Sequence, residues 1–297
     1  MKEEVLSKYL EAGRIAAKVL KYIEDYIGPK KKIDLYKLAL KCEELIIKYG
    51  GKIAFPANIG FNDIAAHYTP LNEEEVLFRE GILKIDIGVH IDGYIADTAI
   101  SIARGYDNQS MARATKMALE AVLGEIRPGV SLGELGGIIE DYINSNGYKV
   151  IRDLSGHLID RYNLHAGKNF PNHREWLSDK IRSDEVYAIE PFATFSNGSG
   201  KISHLSNITI FSLAKTKKVK DKSLDKLRKT IMSRYGPLPF TPRWLNDNVS
   251  LEDFTKLMRM GILKGYPVLI EKSGYPVSQF EHTVVITDSE VIITTRQ

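Results

Sequence analysis

LKIDIGVHIDGYIADT, residues 83–98, alternates apolar and other side chains with a period of two and carries an Asp-Gly pair at Asp92-Gly93. That combination is the pattern of a β-hairpin. With Asp92 and Gly93 as the two-residue loop, Asp86 falls opposite Ala99, and Asp97 becomes its diagonal neighbour on the same face. Side chains so placed are close enough to interact directly. Two carboxylates among Ile85, Ile87, Ile95 and Ala96 are costly unless something neutralises them. A metal ion is the simplest neutraliser, so the hairpin directs the search to further ligands elsewhere in the chain.

The bulk properties narrow the setting. A chain of 297 residues can bury a large core, as one domain or as a domain with an insertion. A net charge of +3 is too small to argue for nucleic acid. The single cysteine, Cys42, excludes an internal disulfide and fits a reducing compartment. It lies on an apolar helical stripe and reads as structural. The N-terminal MKEEVLSKYLEAGRIAAKVL has a glutamate pair and no uninterrupted apolar core, unlike a signal peptide. No stretch approaches the ~18 apolar residues of a membrane span. A soluble, cytoplasmic protein is expected, acting as a monomer and without a membrane partner.

Periodicity organises the rest. Apolar residues at Val5, Tyr9, Ala12, Ala16, Val19, Ile23 and Ile27 predict an amphipathic helix over 3–27. Asp34 is placed to cap a second, with Leu35, Leu38, Ala39, Cys42, Leu45 and Ile46 on one face and Gly50-Gly51 as the stop. FPANIGFNDIAAHYTP then reads as turn-rich, with one strand-like piece ending in His67, ahead of the hairpin. The order repeats downstream. Ser110 is expected to cap one helix, Ser131 in a capping-box signature with Glu134 another, and strands follow around Gly156-His157 and Val186–Glu190. Two helices followed by strands, twice over, predict an α+β fold of two similar halves with antiparallel sheets and flanking helices. From about residue 215 to 265 the pattern changes. KTKKVKDKSLDKLRKTIMSRYG is basic, with a helical face of Leu224, Leu227, Ile231 and Tyr235, and Ser250 to Asp253 starts another helix, as in a small helical insertion. Its basic run reads as a solvated helix surface, with an RNA-facing patch as the sharper alternative. A closing hairpin, VSQFEHTVVITDSEVIITT, carries Glu281 in an otherwise apolar setting.

His157, Glu190 and Glu281 are the candidate partners of Asp86 and Asp97, since each is an ionisable group in or beside an apolar strand-like segment. One closed structural zinc site usually takes four Cys or His ligands, which this set does not offer. Four carboxylates and one imidazole suit two divalent ions, whose four positive charges they balance. Such a pair activates a bridging water and polarises a carbonyl, the chemistry of metal-assisted hydrolysis. Oxygen-rich ligation with one histidine admits manganese, iron, cobalt and zinc.

AFPANIGFNDIAAHYTP, KIDIGVHIDGYIADTA, SGHLIDRYNLHAG, YAIEPF and QFEHT occur in this order, and together they resemble the methionine aminopeptidases. The resemblance runs through nearly the whole chain and implies their two-halved pita-bread fold. YGPLPFTPRWL and the insert before QFEHT are similar to the type II branch, whose insert resembles a winged-helix domain. The start directly at the catalytic region looks like the shorter archaeal form. The implied division is 1–205 with 266–297 as catalytic domain and 206–265 as insertion. Carried over residue by residue, the resemblance makes Asp86, Asp97, His157, Glu190 and Glu281 ligands of two metals, with Asp97 and Glu281 bridging. It gives His67 a contact on the leaving amide side and His165 a donor role at the carbonyl oxygen. Glu190 gains a second role as proton shuttle, and Phe55, Pro56, Leu164, Phe192 and Tyr266 become the pocket for a methionine side chain. The implied activity is removal of the initiator methionine from nascent chains with a small second residue, with possible transient contact to the ribosome among its partners. The alternatives are a prolidase-like Xaa–Pro hydrolase of the same fold and a binding relative that has lost catalysis. IEPF at Pro191 and HREW at 173–176 depart from the family pattern.

Overall fold

The computed structural model describes residues 1–28, 30–245 and 249–296. The first half runs through α1 (Glu3–Ile27), β1 (Lys32–Asp34), α2 (Leu35–Lys48), β2 (Lys52–Phe61), β3 (Ile64–Ala66), β4 (Glu75–Leu77), β5 (Gly81–Ile91) and β6 (Tyr94–Arg104). Its main sheet has the order β2-β5-β6, all antiparallel. Ile85, Ile87 and Val89 of β5 pack with Ile15, Val19 and Ile23 of α1 and with Leu38, Cys42 and Leu45 of α2 in one core. Period-two alternation turns Asp86, Gly88 and His90 to the other face. As the sequence indicates, Asp34 caps α2, accepting from the Lys37 N–H at 3.2 Å.

The second half continues through α3 (Tyr106–Leu123), α4 (Leu132–Ser145), β7 (Tyr148–Val150), β8 (Ser155–Ile159), β9 (Asn169–Pro171), β10 (Val186–Ile189) and β11 (Phe192–Phe195). Then come β12 (Ile202–Leu213), α5 (Lys222–Tyr235), a 3-10 turn at Pro242–Trp244, α6 (Leu251–Arg259) and β13 (Leu263–Glu271). The chain closes with β14 (Val277–Gln279), β15 (His282–Ile286) and β16 (Val291–Ile293). A five-stranded sheet of order β16-β15-β10-β8-β9 shares a core with α3 and α4, which include Met111, Leu119, Leu135 and Ile139. Each half is thus a sheet covered by two helices. The insertion has a core of its own, in which Leu224, Leu227 and Ile231 of α5 meet Phe240, Phe254 and Leu257. Ser250 and Asp253 form a reciprocal capping box at the start of α6. Among the described residues no helix is long and apolar enough to cross a membrane.

Two local expectations are corrected. Residues 52–61 are not turn-rich but form the long strand β2, whose register against β5 shifts twice between Ile53 and Asn58. The bulge accommodates Pro56, which has no N–H to give to a ladder. Ser110 does not cap α3, because the helix has already begun at Tyr106 behind Gly105, at φ 87°. Ser131 does cap α4, accepting from the Glu134 N–H at 3.3 Å.

A buried ion pair fastens the insertion to the first half. Glu43 of α2 takes both terminal nitrogens of Arg243 on its two carboxylate oxygens. It also accepts from the Trp244 indole at 2.9 Å and from the Ala57 N–H, inside the bulge of β2, at 3.1 Å. Arg243 donates in turn to the Thr69 hydroxyl at 2.9 Å. Removing one member of a buried pair strands the other charge, at a cost of about 3–5 kcal/mol. Glu43→Ala should therefore lower the unfolding free energy obtained from urea titration by an amount in that range, with Arg243→Ala similar.

Gly13 supplies a second test. Alanine in a helix normally gains about 0.5–1 kcal/mol over glycine. Here a Cβ would lie 2.2 Å from the Thr294 carbonyl oxygen, where the C-terminal segment crosses α1. Gly13→Ala should instead destabilise by about 1–3 kcal/mol, the cost of overpacking, read as a lower denaturation midpoint.

Candidate metal centre

The hairpin that carries the first two carboxylates forms in the expected register. Asp86 pairs with Ala99 and Gly88 with Asp97. Asp92 and Gly93 have φ of 50° and 89°, the positive pair that a two-residue turn between twisted strands requires. Phe55 lies over Gly88, where a Cβ would approach its ring to 2.2 Å, so the missing side chain makes room for the wall of the site.

The other ligand candidates arrive from the second half. His157 sits in β8 opposite Ala188, Glu190 directly after β10, and Glu281 between β14 and β15. A seam of hydroxyls brings Glu281 against β6. The Thr283 hydroxyl accepts from the Asp97 N–H and donates to the Asp97 carbonyl, both at 2.7 Å. The Thr98 hydroxyl donates to the Glu281 carbonyl at 2.8 Å, and the Glu281 N–H to that of Ala99 at 3.0 Å. Asp97 and Glu281 therefore face each other across the junction of the halves.

Donor atoms of Asp97, His157 and Glu281 all lie within 4.8 Å of one another. His157 Nε2 is 3.6 Å from Asp97 Oδ2 and 3.8 Å from Glu190 Oε1. Asp86 shares the same cavity. Its Oδ1 and that of Asp97 are buried without a hydrogen-bond partner. Burial pushes the Asp86 carboxyl up to about 7. Burial, followed by the repulsion of neighbouring carboxylates, drives Asp97, Glu190 and Glu281 well above the usual range. Gln279, on which no sequence expectation rested, donates its amide to Glu190 at 3.2 Å and reaches Glu281 at 3.5 Å. One amide does not offset four carboxylates. Unpartnered oxygens and mutual repulsion fit a site built for cations. Burial, with His165 next in effect, holds His157 down to about 3, so its imidazole is neutral, the form that ligates metal.

His67 and His165 reach the same cavity. His67 has φ 61°, uncommon for a residue with a side chain and found most often where structure serves a site. Its ring packs edge-on against Tyr266 at 5.5 Å, and burial holds its pKa down to about 4. The His165 ring lies 4.2 Å from that of His157, and burial, then Lys264, lowers its pKa. Both imidazoles are neutral near pH 7, each with one N–H to donate.

The cavity is small, about 70 Å3. Phe55, Leu164 and Tyr266 line it, together with Asn58, Ala66, Ile210 and Pro239, which the sequence did not single out. Pro56 and Phe192 do not. Pro56 turns its carbonyl to the Asn58 amide at 3.1 Å, and Phe192 packs in a core with Ala65, Ile151 and Val277. Two other histidines serve the scaffold: His90 accepts from the Gly93 N–H at 3.0 Å and His282 bonds the Thr295 hydroxyl at 2.8 Å.

The model of metallopeptidase family M24 matches residues 7–288. A methionine aminopeptidase of Saccharolobus solfataricus is 42% identical over 305 aligned residues, covering all of this chain and 99% of that protein. Another, from Archaeoglobus fulgidus, is 41% identical over 297 residues, the whole of both chains. Among solved structures, a thermophilic Arx1 superposes with a TM-score of 0.84 at 18% identity, over 99% of this chain and 91% of that one. A methionine aminopeptidase from Thermotoga maritima superposes at 0.72 with 20% identity, over 100% and 98%. At such identities the superpositions speak for the fold alone, the two-halved architecture described above.

Proposed function

The chain belongs to metallopeptidase family M24, and from that premise we propose that it is a methionine aminopeptidase, removing N-terminal methionine from nascent proteins and peptides by metal-dependent hydrolysis. The observation that carries this reading is the identity of about two residues in five with methionine aminopeptidases over their full length. In this reading Asp86, Asp97, His157, Glu190 and Glu281 hold two divalent ions, Asp97 and Glu281 shared between them. Four buried carboxylates balance two such charges, and their donors suit cobalt, manganese, iron or zinc. When bound, the ions supply a water of lowered pKa and polarise the scissile carbonyl.

The remaining steps fall to the protein's own groups. Glu190 takes the proton of the attacking water and returns it to the leaving amine. His165 donates its N–H to the carbonyl oxygen as negative charge develops there. His67 contacts the amide nitrogen on the leaving side. Phe55, Leu164 and Tyr266 receive the methionine side chain, whose sulfur is favoured near aromatic rings. A small second residue is the preference this reading carries with it. We place the enzyme in the cytoplasm as a monomer, and divide it at 206 and 265, a division supported by the separate core of the insertion. The lysines of 215–229 are exposed, as a solvated helix surface requires, and contact with ribosomal RNA is the sharper alternative for this face.

Release of methionine from Met-Ala-Ser should vanish on chelation and return with manganese or cobalt. Turnover of Ala-Pro in its place would move the chain to the Xaa–Pro branch. His165→Ala should lower kcat by about 10²–10³-fold, the loss typical of one such donor, with metal content unchanged in elemental analysis. Asp97→Asn should lose the second equivalent of metal in calorimetric titration, and an unchanged stoichiometry would remove Asp97 from the bridge.

A further inference from the structure

Beside the metal centre lies a larger, open groove of about 790 Å3, which the chemistry above leaves unused. One wall is α2, through Glu44 and Ile47; the other is the end of α5 and the turn after it, through Met232, Tyr235 and Pro237. Its floor is the start of β2 at Gly51–Ile53, with His90. Three features connect it with the site. Pro239 lines both spaces. His90 and Asp86 stand on one face of β5, four residues and therefore about 13 Å apart. Tyr162, whose ring meets His90 edge-on at 5.6 Å, belongs to the loop that carries Leu164 and His165. The metal-centre cavity, at about 70 Å3, is much the smaller of the two spaces.

We propose that this groove binds the substrate polypeptide from its third residue onward, in extended form. The proposal rests on the aminopeptidase reading and adds a subsite to it. The groove's chemistry indicates an uncharged segment. The carboxylate of Glu43 is already engaged by Arg243 and Trp244, and the walls are mainly apolar and aromatic. Glu44, Lys52 and Arg234 stay exposed at the rim. β2 is the outer strand of its sheet, so its edge at Lys52 and Ile53 can take an added strand through main-chain hydrogen bonds. Such bonds hold a chain with little regard to sequence, as an enzyme with many substrates needs.

The test compares kcat/KM for Met-Ala-Ser with that for uncharged peptides extending the same terminus to eight residues, on the metal-loaded enzyme. The longer peptides should be at least about tenfold better, chiefly through KM. Ile47→Asp and Met232→Asp replace side chains that are 63% and 40% exposed, so the fold tolerates them. Each should erase the gain with length, and an octapeptide with lysine at position four or five should recover it. A wild-type kcat/KM independent of length, or a gain intact in both variants, would overturn the groove. So would a dimer of the wild type that Ile47→Asp dissociates while the gain persists, since the groove would then belong to a second copy. Failure to release methionine from any peptide would instead overturn the aminopeptidase reading.

Discussion

Four carboxylates crowd one buried cavity in this protein, and their mutual repulsion is the constraint to which the surrounding structure answers. At an effective dielectric constant of about 20, two like charges 4 Å apart cost about 4 kcal/mol. Without cations the groups relieve that repulsion by holding protons, which is why burial and proximity move their titration upward together. The scaffold keeps them close nonetheless. Thr98 and Thr283 spend their hydroxyls on the backbone of the opposing segment and fix Asp97 and Glu281 across the seam. The neighbouring imidazoles are neutral, so they leave the charge balance to metal.

Much of this was legible in the sequence, for reasons that differ by element. The β5–β6 register followed from Asp92-Gly93, because a two-residue turn leaves no freedom in pairing once its position is known. α1 and α2 followed from apolar spacing, and the Asp34 cap from local hydrogen-bond chemistry. The long strand β2 did not follow, since Pro56 and Gly60 imitate a turn and the bulge appears only when β5 is laid beside it. For the same reason Asn58 was missed, although it pairs with Asp86. Gln279 carried a usable signal: it stands two residues before Glu281, where an extended chain returns to the same face. Glu43 carried none. A glutamate beside Cys42 looks like any helix-surface residue until Arg243, two hundred positions later, is folded against it.

The insertion is joined to the centre more closely than a helical appendage would be. β12 and β13, the strands that enter and leave it, pair with each other, and β13 pairs in turn with β3, next to His67. Ile210 and Tyr266 on those strands reach the cavity, as does Pro239 from within the insertion. The buried fork of Arg243 on Glu43 then fixes this group of residues to α2 and to the bulge of β2. Movement of the insertion would thus be felt at Asn58 and Phe55.

The five residues at the centre are scattered along the chain, with Asp86 the first and Glu281 the last to leave the ribosome. No translation product that stops short of β15 can assemble the cluster, because its seam closes only once that strand has reached β6. A copy whose synthesis has not passed β15 is therefore inert, and competence arrives in one step with that strand. Trimming of growing chains in such a cell depends at every moment on enzyme completed earlier, so the activity is handed from finished copies to those being made.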